Sequence, residues 1–302
     1  MRTLRLSLAG TVISVMVGVL PLGVAAQTDG DEPRDAASDS LGEVSVVEDL
    51  VYATGSSPDG EVTELKLRLH LPAESEDAPM VISVGGTAVN AKALAEQGVS
   101  VFVTGSPDRW PDIMLYADPA ALRTMAEAVA CAVRFARGSE YGSETAPLVL
   151  TGFSAYAPPA AHVALAGEDF DRLWDEYAES VGGPPTQFEC TVTEASTRVE
   201  GFMGVAGGYD AFVGFEGKYG RDFLLEHEPE LWEMLWGTVG LHPELRVRLV
   251  HGNDDLTVPL EVSAAFEAVL AEAGYDVELL EFAGGHITPG DLTVETVLEL
   301  LQ

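Results

Sequence analysis

From Glu61 to Leu71 apolar and polar residues alternate, with Leu65, Leu67, Leu69 and Leu71 on one side. A period of two marks a strand with one face in a core and the other in water. Val44, Val46 and Val47 begin a similar stretch just upstream. These read as two half-exposed strands, antiparallel at a sheet edge. The pattern then changes. Pro79–Val84 is a mostly apolar run closed by Gly85-Gly86, followed by Val99–Thr104 and Leu148–Thr151. Val199–Val205, Leu245–Val250 and Val277–Phe282 continue the series. Strands this apolar are covered on both faces. Ala88–Gln97, the alanine-rich Ala117–Arg137, Glu261–Ala273 and Leu292–Leu301 read as helices between and after them. The alternation predicts an α/β fold, a mostly parallel central sheet flanked by helices. Its ligand site belongs in the loops beyond the carboxyl ends of the strands. No segment repeats with a period of 20 to 50 residues, which disfavours a solenoid.

Two segments fit the alternation poorly and read as small inserted lid or cap segments, residues 168–198 and 212–243. The second carries Phe212, Phe215, Tyr219, Phe223, Trp232 and Trp236. Most of these aromatics suit the core of extra helices. Trp232 and Trp236, four apart on one helix face, are the candidates for a substrate pocket.

Composition narrows the function classes. The chain has 302 residues, 49 acidic against 16 basic, and a net charge of −33. A hydrophobic share of 47% supplies a substantial core and excludes wholesale disorder. The acidity argues against nucleic acid and anionic membranes as partners, because phosphates are repelled instead of neutralised. Only Lys66, Lys92 and Lys218 are lysines. An acidic, lysine-poor surface suits either a salt-adapted source or simple solubility after export.

The amino terminus reads as a targeting segment. Arg2 and Arg5 precede an apolar run from Leu6 to Leu20, Pro21 breaks it, and Val24-Ala25-Ala26 offers small residues for cleavage. Residues 1–26 are therefore expected to be a signal peptide, an uncleaved anchor being the alternative. Residues 27–46 read as an acidic flexible linker and 47–302 as the catalytic domain of a secreted protein. Cys131 and Cys190 are the only cysteines. In an exported chain such a pair is a disulfide candidate; two buried thiols are the other reading.

Candidate chemistry clusters at strand ends. Ser154, in Thr151-Gly-Phe-Ser-Ala-Tyr-Ala157, lies between a buried strand and a helix, where a hydroxyl is thrust out of the sheet beside a helix amino terminus. A hydroxyl needs a base to become a nucleophile. His286, in Ala283-Gly-Gly-His286 after the last strand, is placed to be one. His251-Gly-Asn-Asp-Asp-Leu-Thr-Val-Pro259, after the preceding strand, supplies an orienting carboxylate from Asp254 or Asp255. The chain order serine, aspartate, histidine is that of one class of serine hydrolases.

On these residues the chain resembles the α/β-hydrolase superfamily, and within it bacterial carboxylesterase and lipase-like enzymes, from about Val47 to Gln302. His251–Pro259 resembles the family's His-Gly-x-x-Asp-x-x-Val-Pro segment, which makes Asp255 the acid. Gly285-His286 resembles its Gly-His loop, and Cys131–Arg137 its helix before the nucleophile strand. Gly85-Gly86 resembles a reduced oxyanion loop, with Val84 and Thr87 where the family has histidine and glycine. The resemblance implies oxyanion donors on the backbone of Gly86 and Ala155, with Thr87 as runner-up to Gly86. The chain departs from the family at Tyr156, where a small residue is usual. There the turn has to open or the ring has to point into the cleft, and the latter makes Tyr156 a candidate pocket residue. Pro158 and Pro159 are compatible with the first turn of a helix.

The expected activity is hydrolysis of small carboxylic esters by a Ser154–His286–Asp255 triad through an acyl-enzyme, without cofactor or metal. The alternatives are a catalytically impaired binding protein, motivated by Tyr156, and a peptidase using the same triad. Asp210 reads as a turn residue and only secondarily as the acid. His70, His162, His227 and His242 show no metal-ligand spacing.

Overall fold

In the computed structural model, strands and helices alternate through a nine-stranded sheet of order β6-β1-β2-β4-β3-β5-β7-β8-β9. The structure describes residues 43–56, 62–86, 88–104, 119–180, 188–209, 226 and 229–302, all within one unit. The expectations for residues 1–42, Thr87, Asp210, His227 and the aromatics between 212 and 223 lie outside the described residues.

The strands are β1 (Ser45–Ser56), β2 (Val62–Leu71), β3 (Met80–Val84), β4 (Ser100–Thr104), β5 (Leu148–Phe153), β6 (Phe188–Cys190), β7 (Gly201–Val205), β8 (Arg246–Gly252) and β9 (Asp276–Phe282). From β4 through β3, β5, β7 and β8 to β9 every pairing is parallel. β1 and β2 are antiparallel, as the alternating pattern predicts. Leu65, Leu67 and Leu69 of β2 are buried. β1 is not the edge, however. The three-residue β6 pairs with its outer side, Cys190 opposite Ala53. Nothing in Phe188-Glu-Cys190 is periodic enough to mark so short a strand. β1 also starts at Ser45, inside the segment read as linker, because Ser45 pairs across the sheet with Leu71.

Among the described residues the helices are α1 (Ala91–Glu96), α2 (Pro119–Gly138), α3 (Ala157–Ala166), α4 (Phe170–Ser180), α5 (Pro229–Trp236), α6 (Leu260–Glu272) and α7 (Gly290–Leu300). α1 is shorter than its sequence pattern, since the Asn90 side chain caps it by accepting from the amide of Ala93 at 3.2 Å. The buried side chains form two layers. Met80, Ile82, Leu148, Leu150, Val247 and Leu249 join residues of α2 to α6 on one face of the sheet. Val81, Val149, Met203 and Val250 join Leu94 of α1 and Val297 and Leu300 of α7 on the other. Residues one apart on a strand thus go to opposite layers, as the pleat requires.

The described helices of the two inserted segments, α4 and α5, pack on the first of these layers. α4 and α5 lie against each other, with Phe170, Trp174 and Tyr177 of α4 buried, Phe170 stacked on Trp174 and Tyr177 tilted against it. A disulfide between Cys131 of α2 and Cys190 of β6 ties the first insertion to the main body. Closing a loop of 59 residues restricts the unfolded chain by about 4 kcal/mol on an entropy argument. Arg134 adds an ion pair to Asp171 and lies 3.5 Å from the Cys190 sulfur.

α3 is buried along its whole length, which leaves His162 without access to water. Its ring meets Phe170 edge-on, and Nδ1 has no partner among the described residues. Burial pulls the His162 imidazole from 6.5 down to about 4. The unfolded chain therefore binds a proton that the folded chain refuses between those values. Stability contributed by the neutral ring is complete above 6.5 and is lost as the pH falls toward 4, by about 3 kcal/mol. We expect the urea midpoint of the parent to drop more steeply between pH 7 and 4.5 than that of His162→Leu. Equal slopes would place the acid sensitivity elsewhere.

Candidate active site

The three polar residues singled out in the sequence lie on loops that follow β5, β8 and β9, at the carboxyl end of the parallel sheet. They are joined by hydrogen bonds. Ser154 Oγ is 2.8 Å from Nε2 of His286, and Nδ1 of His286 is 2.7 Å from Oδ2 of Asp255. Because a carboxylate only accepts, Nδ1 carries the proton; Nε2 is then free to accept from the serine hydroxyl. Asp255 side-chain atoms are shielded from water and the His286 side chain is 19% exposed. Phe153 lies beside the imidazole, ring centres 5.0 Å apart.

Ser154 owes its position to an uncommon backbone. Its φ is +52°, a left-handed conformation that costs a side-chain-bearing residue roughly 1–2 kcal/mol. Ser154 opens a single 3-10 turn through Tyr156, and α3 starts at Ala157 with Pro158 and Pro159 in its first turn. The Ser154 carbonyl accepts from the amides of Ala157 and of Gly208 (3.3 Å), which holds the turn from both sides. The close approach of strand and helix falls at Gly152. A β-carbon there would lie 2.7 Å from Cα of Ala157 and 3.0 Å from Cβ of Ala160. Position 152, not 156, is where smallness is needed. The Tyr156 ring lies against Gly85 instead and does not separate Ser154 from His286.

The acid loop is built around the carboxylate. Oδ1 of Asp255 accepts from the amides of Thr257 (2.7 Å) and Val258 (3.0 Å). Burial by itself would push the Asp255 carboxyl up. The hydrogen bond from His286 and those from Val258 and Thr257 outweigh it and hold the group below its ordinary range. Asp254, its neighbour, lacks this role: its side chain is exposed and its amide donates to the carbonyl of Gly284 at 2.9 Å.

Two residues whose roles the sequence did not reveal hold the acid loop in place. His251 is fully buried. Its Nε2 is 2.9 Å from the Val258 carbonyl and 3.3 Å from Oδ2 of Asp255, and its Nδ1 is 2.7 Å from Oγ of Ser263. With acceptors on the Nε2 side, that nitrogen carries the proton and Ser263 donates to Nδ1. Gly252 lets the loops after β8 and β9 touch, since a β-carbon there would collide with the carbonyl oxygens of Gly284 and Gly285. Both lie in the His-Gly pair that opens the sequence motif, but a motif carries no partner atoms.

The remaining candidates are placed as follows. Ala155 lies in the turn after Ser154, and Gly86, exposed, follows β3 with φ +72°. Trp232 and Trp236 stack on α5 with centres 5.2 Å apart, Trp232 in the core and Trp236 half exposed. Replacing Ser154 by glycine removes the left-handed penalty while alanine keeps it. Ser154→Gly should therefore unfold at a higher urea concentration than Ser154→Ala, by about 1 kcal/mol. The same midpoint for both would mean that the turn relaxes.

No family model matches the chain, and no curated protein matches it in sequence. Solved structures do match. Esterase B from Lactobacillus rhamnosis, with a tributyrin phosphonate inhibitor, aligns at 19% identity and a TM-score of 0.55, over 88% of this chain and 87% of that one. Thermogutta terrifontis esterase 2, phosphoramylated by tabun, aligns at 18% and 0.53, over 88% and 96%. A bifunctional GH43-CE protein of Bacteroides eggerthii aligns at 17% and 0.53, over 85% of this chain but 37% of its own length. With a largely parallel sheet of nine strands and helices on both faces, the chain has the α/β-hydrolase fold.

Proposed function

We propose that this protein is a serine hydrolase of carboxylic esters. The observation that supports it best is the unbroken hydrogen-bonded line from Ser154 through His286 to Asp255, with the serine strained outward at a strand-to-helix turn. In this reading Ser154 Oγ attacks the acyl carbon as His286 Nε2 takes its proton. Asp255 keeps the imidazole in the required tautomer and balances the charge it gains. The amides of Gly86 and Ala155 receive the oxyanion; one such donor lowers the barrier by about 3 kcal/mol. His286 returns the proton to the leaving alcohol, and water then releases the acid by the reverse sequence.

Two of the structural neighbours are named as esterases, one with a phosphonate inhibitor and one phosphoramylated by tabun, and reagents of this kind suit a test here. The amino-terminal residues support export, and we propose an extracytoplasmic location for the mature chain. No observation favours the impaired binding reading, because Ser154 and His286 are in hydrogen-bond contact despite Tyr156.

The parent should hydrolyse a short-chain nitrophenyl ester and take one fluorophosphonate on Ser154, located by peptide mass. Ser154→Ala should lose both. An unchanged rate would remove Ser154 from the mechanism. Asp255→Asn should keep the fold and lower kcat by about 10^4, since an amide leaves the imidazole in the wrong tautomer. Asp254→Asn should stay within threefold of the parent, and the opposite ranking of the two would exchange their roles.

A further inference from the structure

Tyr156 brings a large ring into a turn that also carries Ser154, and the place taken by that ring is specific. A β-carbon on Gly85 would lie 2.5 Å from Cδ2, 3.0 Å from Cγ and 3.2 Å from Cε2 of Tyr156. The ring thus occupies the space that a side chain at 85 would need. Gly85 and Gly86 are both left-handed, φ +87° and +72°, a conformation glycine reaches without cost. The same freedom leaves such a pair poorly fixed, because two adjacent glycines lose the most backbone entropy when held in one conformation. Gly85 is buried, Gly86 is exposed beyond it, and the half-buried ring packs against the larger core layer. One turn therefore carries the serine at its start and, two residues later, the ring that rests on the loop after β3.

Building on the hydrolase reading, we propose that Tyr156 is a positioning residue: its ring clamps Gly85-Gly86 so that the Gly86 amide is held ready as an oxyanion donor beside Ser154. The large residue at 156 and the bare backbone at 85 form a matched pair. The loop and the nucleophile turn then move as one unit, and the geometry between donor and nucleophile no longer depends on the glycines alone.

A ring that only fills space would affect stability and leave the chemistry intact. A clamp acts on the transition state, where the donor is used, and little on substrate binding. At a temperature where thermal unfolding shows each variant folded, Tyr156→Ala should lower kcat about 10- to 100-fold with KM within threefold. Its affinity for a short-chain trifluoromethyl ketone, whose adduct oxygen needs the same donors, should fall by the same factor. Tyr156→Phe should restore both. If Tyr156→Ala does not fold, Tyr156→Leu, which keeps apolar bulk without a flat ring, is read in the same way. A folded Ala or Leu variant with the parent's kcat and ketone affinity overturns the proposal. So does a Phe variant as impaired as Ala, which would assign the effect to the hydroxyl. A parent that neither hydrolyses esters nor takes fluorophosphonate on Ser154 overturns the hydrolase reading and this one with it. An active parent with an indifferent Ala variant overturns the clamp alone.

Discussion

A carboxylate shut away from water has to be surrounded by donors or give up its charge, and Asp255 meets that demand at the centre of the site. Its two oxygens receive the Thr257 and Val258 amides and the His286 ring, with the Nε2 edge of His251 3.3 Å away. An unpaired buried charge would cost several kcal/mol; here the donors draw two separate pieces of chain together, and His286 then reaches the third, at Ser154. The turn after β8 is folded onto its own aspartate. The imidazole of the next loop is oriented by it, and that imidazole then faces Ser154. Gly252 supplies the remaining condition, letting the backbones of the two loops touch without an intervening side chain.

The turn that carries Ser154 obeys a different constraint, the length of the step from β5 into α3. Leaving an apolar strand for a buried helix within three residues forces one of them into left-handed backbone, and that residue is Ser154. Gly152 allows the helix to come close, and the Gly208 amide holds the strained carbonyl. Strain at one residue is thereby balanced by contacts from β7's loop and from α3. The ring of Tyr156, displaced from the strand–helix contact, is left to rest on Gly85.

Charge is handled apart from the site. With 49 acidic residues against 16 basic, self-repulsion opposes compactness, and two of the scarce arginines, Arg137 and Arg248, each join several segments. Arg137 donates to the carbonyls of Ala146 (2.6 Å) and Arg198 (3.1 Å) and pairs with Glu200 (2.7 Å), which itself receives the Leu148 amide. Arg248, three residues before His251 on β8, pairs with Asp276 at the start of β9 and with Glu299 near the end of α7. These bonds stitch strand starts to helix ends, whereas Ser154, Asp255 and His286 gather beyond strand finishes.

The amino-acid sequence by itself determined the sheet. Apolar runs covered on both faces, alternating with helical segments, force a parallel layer, and Leu65, Leu67 and Leu69 show which face of β2 is buried. It also singled out Ser154 and His286, each in the loop after a strand run, and left the carboxylate between Asp254 and Asp255 until the resemblance of His251–Pro259 to the α/β-hydrolase segment favoured Asp255. Only the tertiary structure decided what depends on contacts between distant segments. Phe188–Cys190 becomes a strand because β1 offers an open edge, not because three residues have a preference. His251 and Ser263 became supports of the acid because folding brings α6 under the loop after β8. Tyr156 reads in isolation as an obstacle, and its effect turns on the missing β-carbon at Gly85, 71 positions away, which no local pattern encodes.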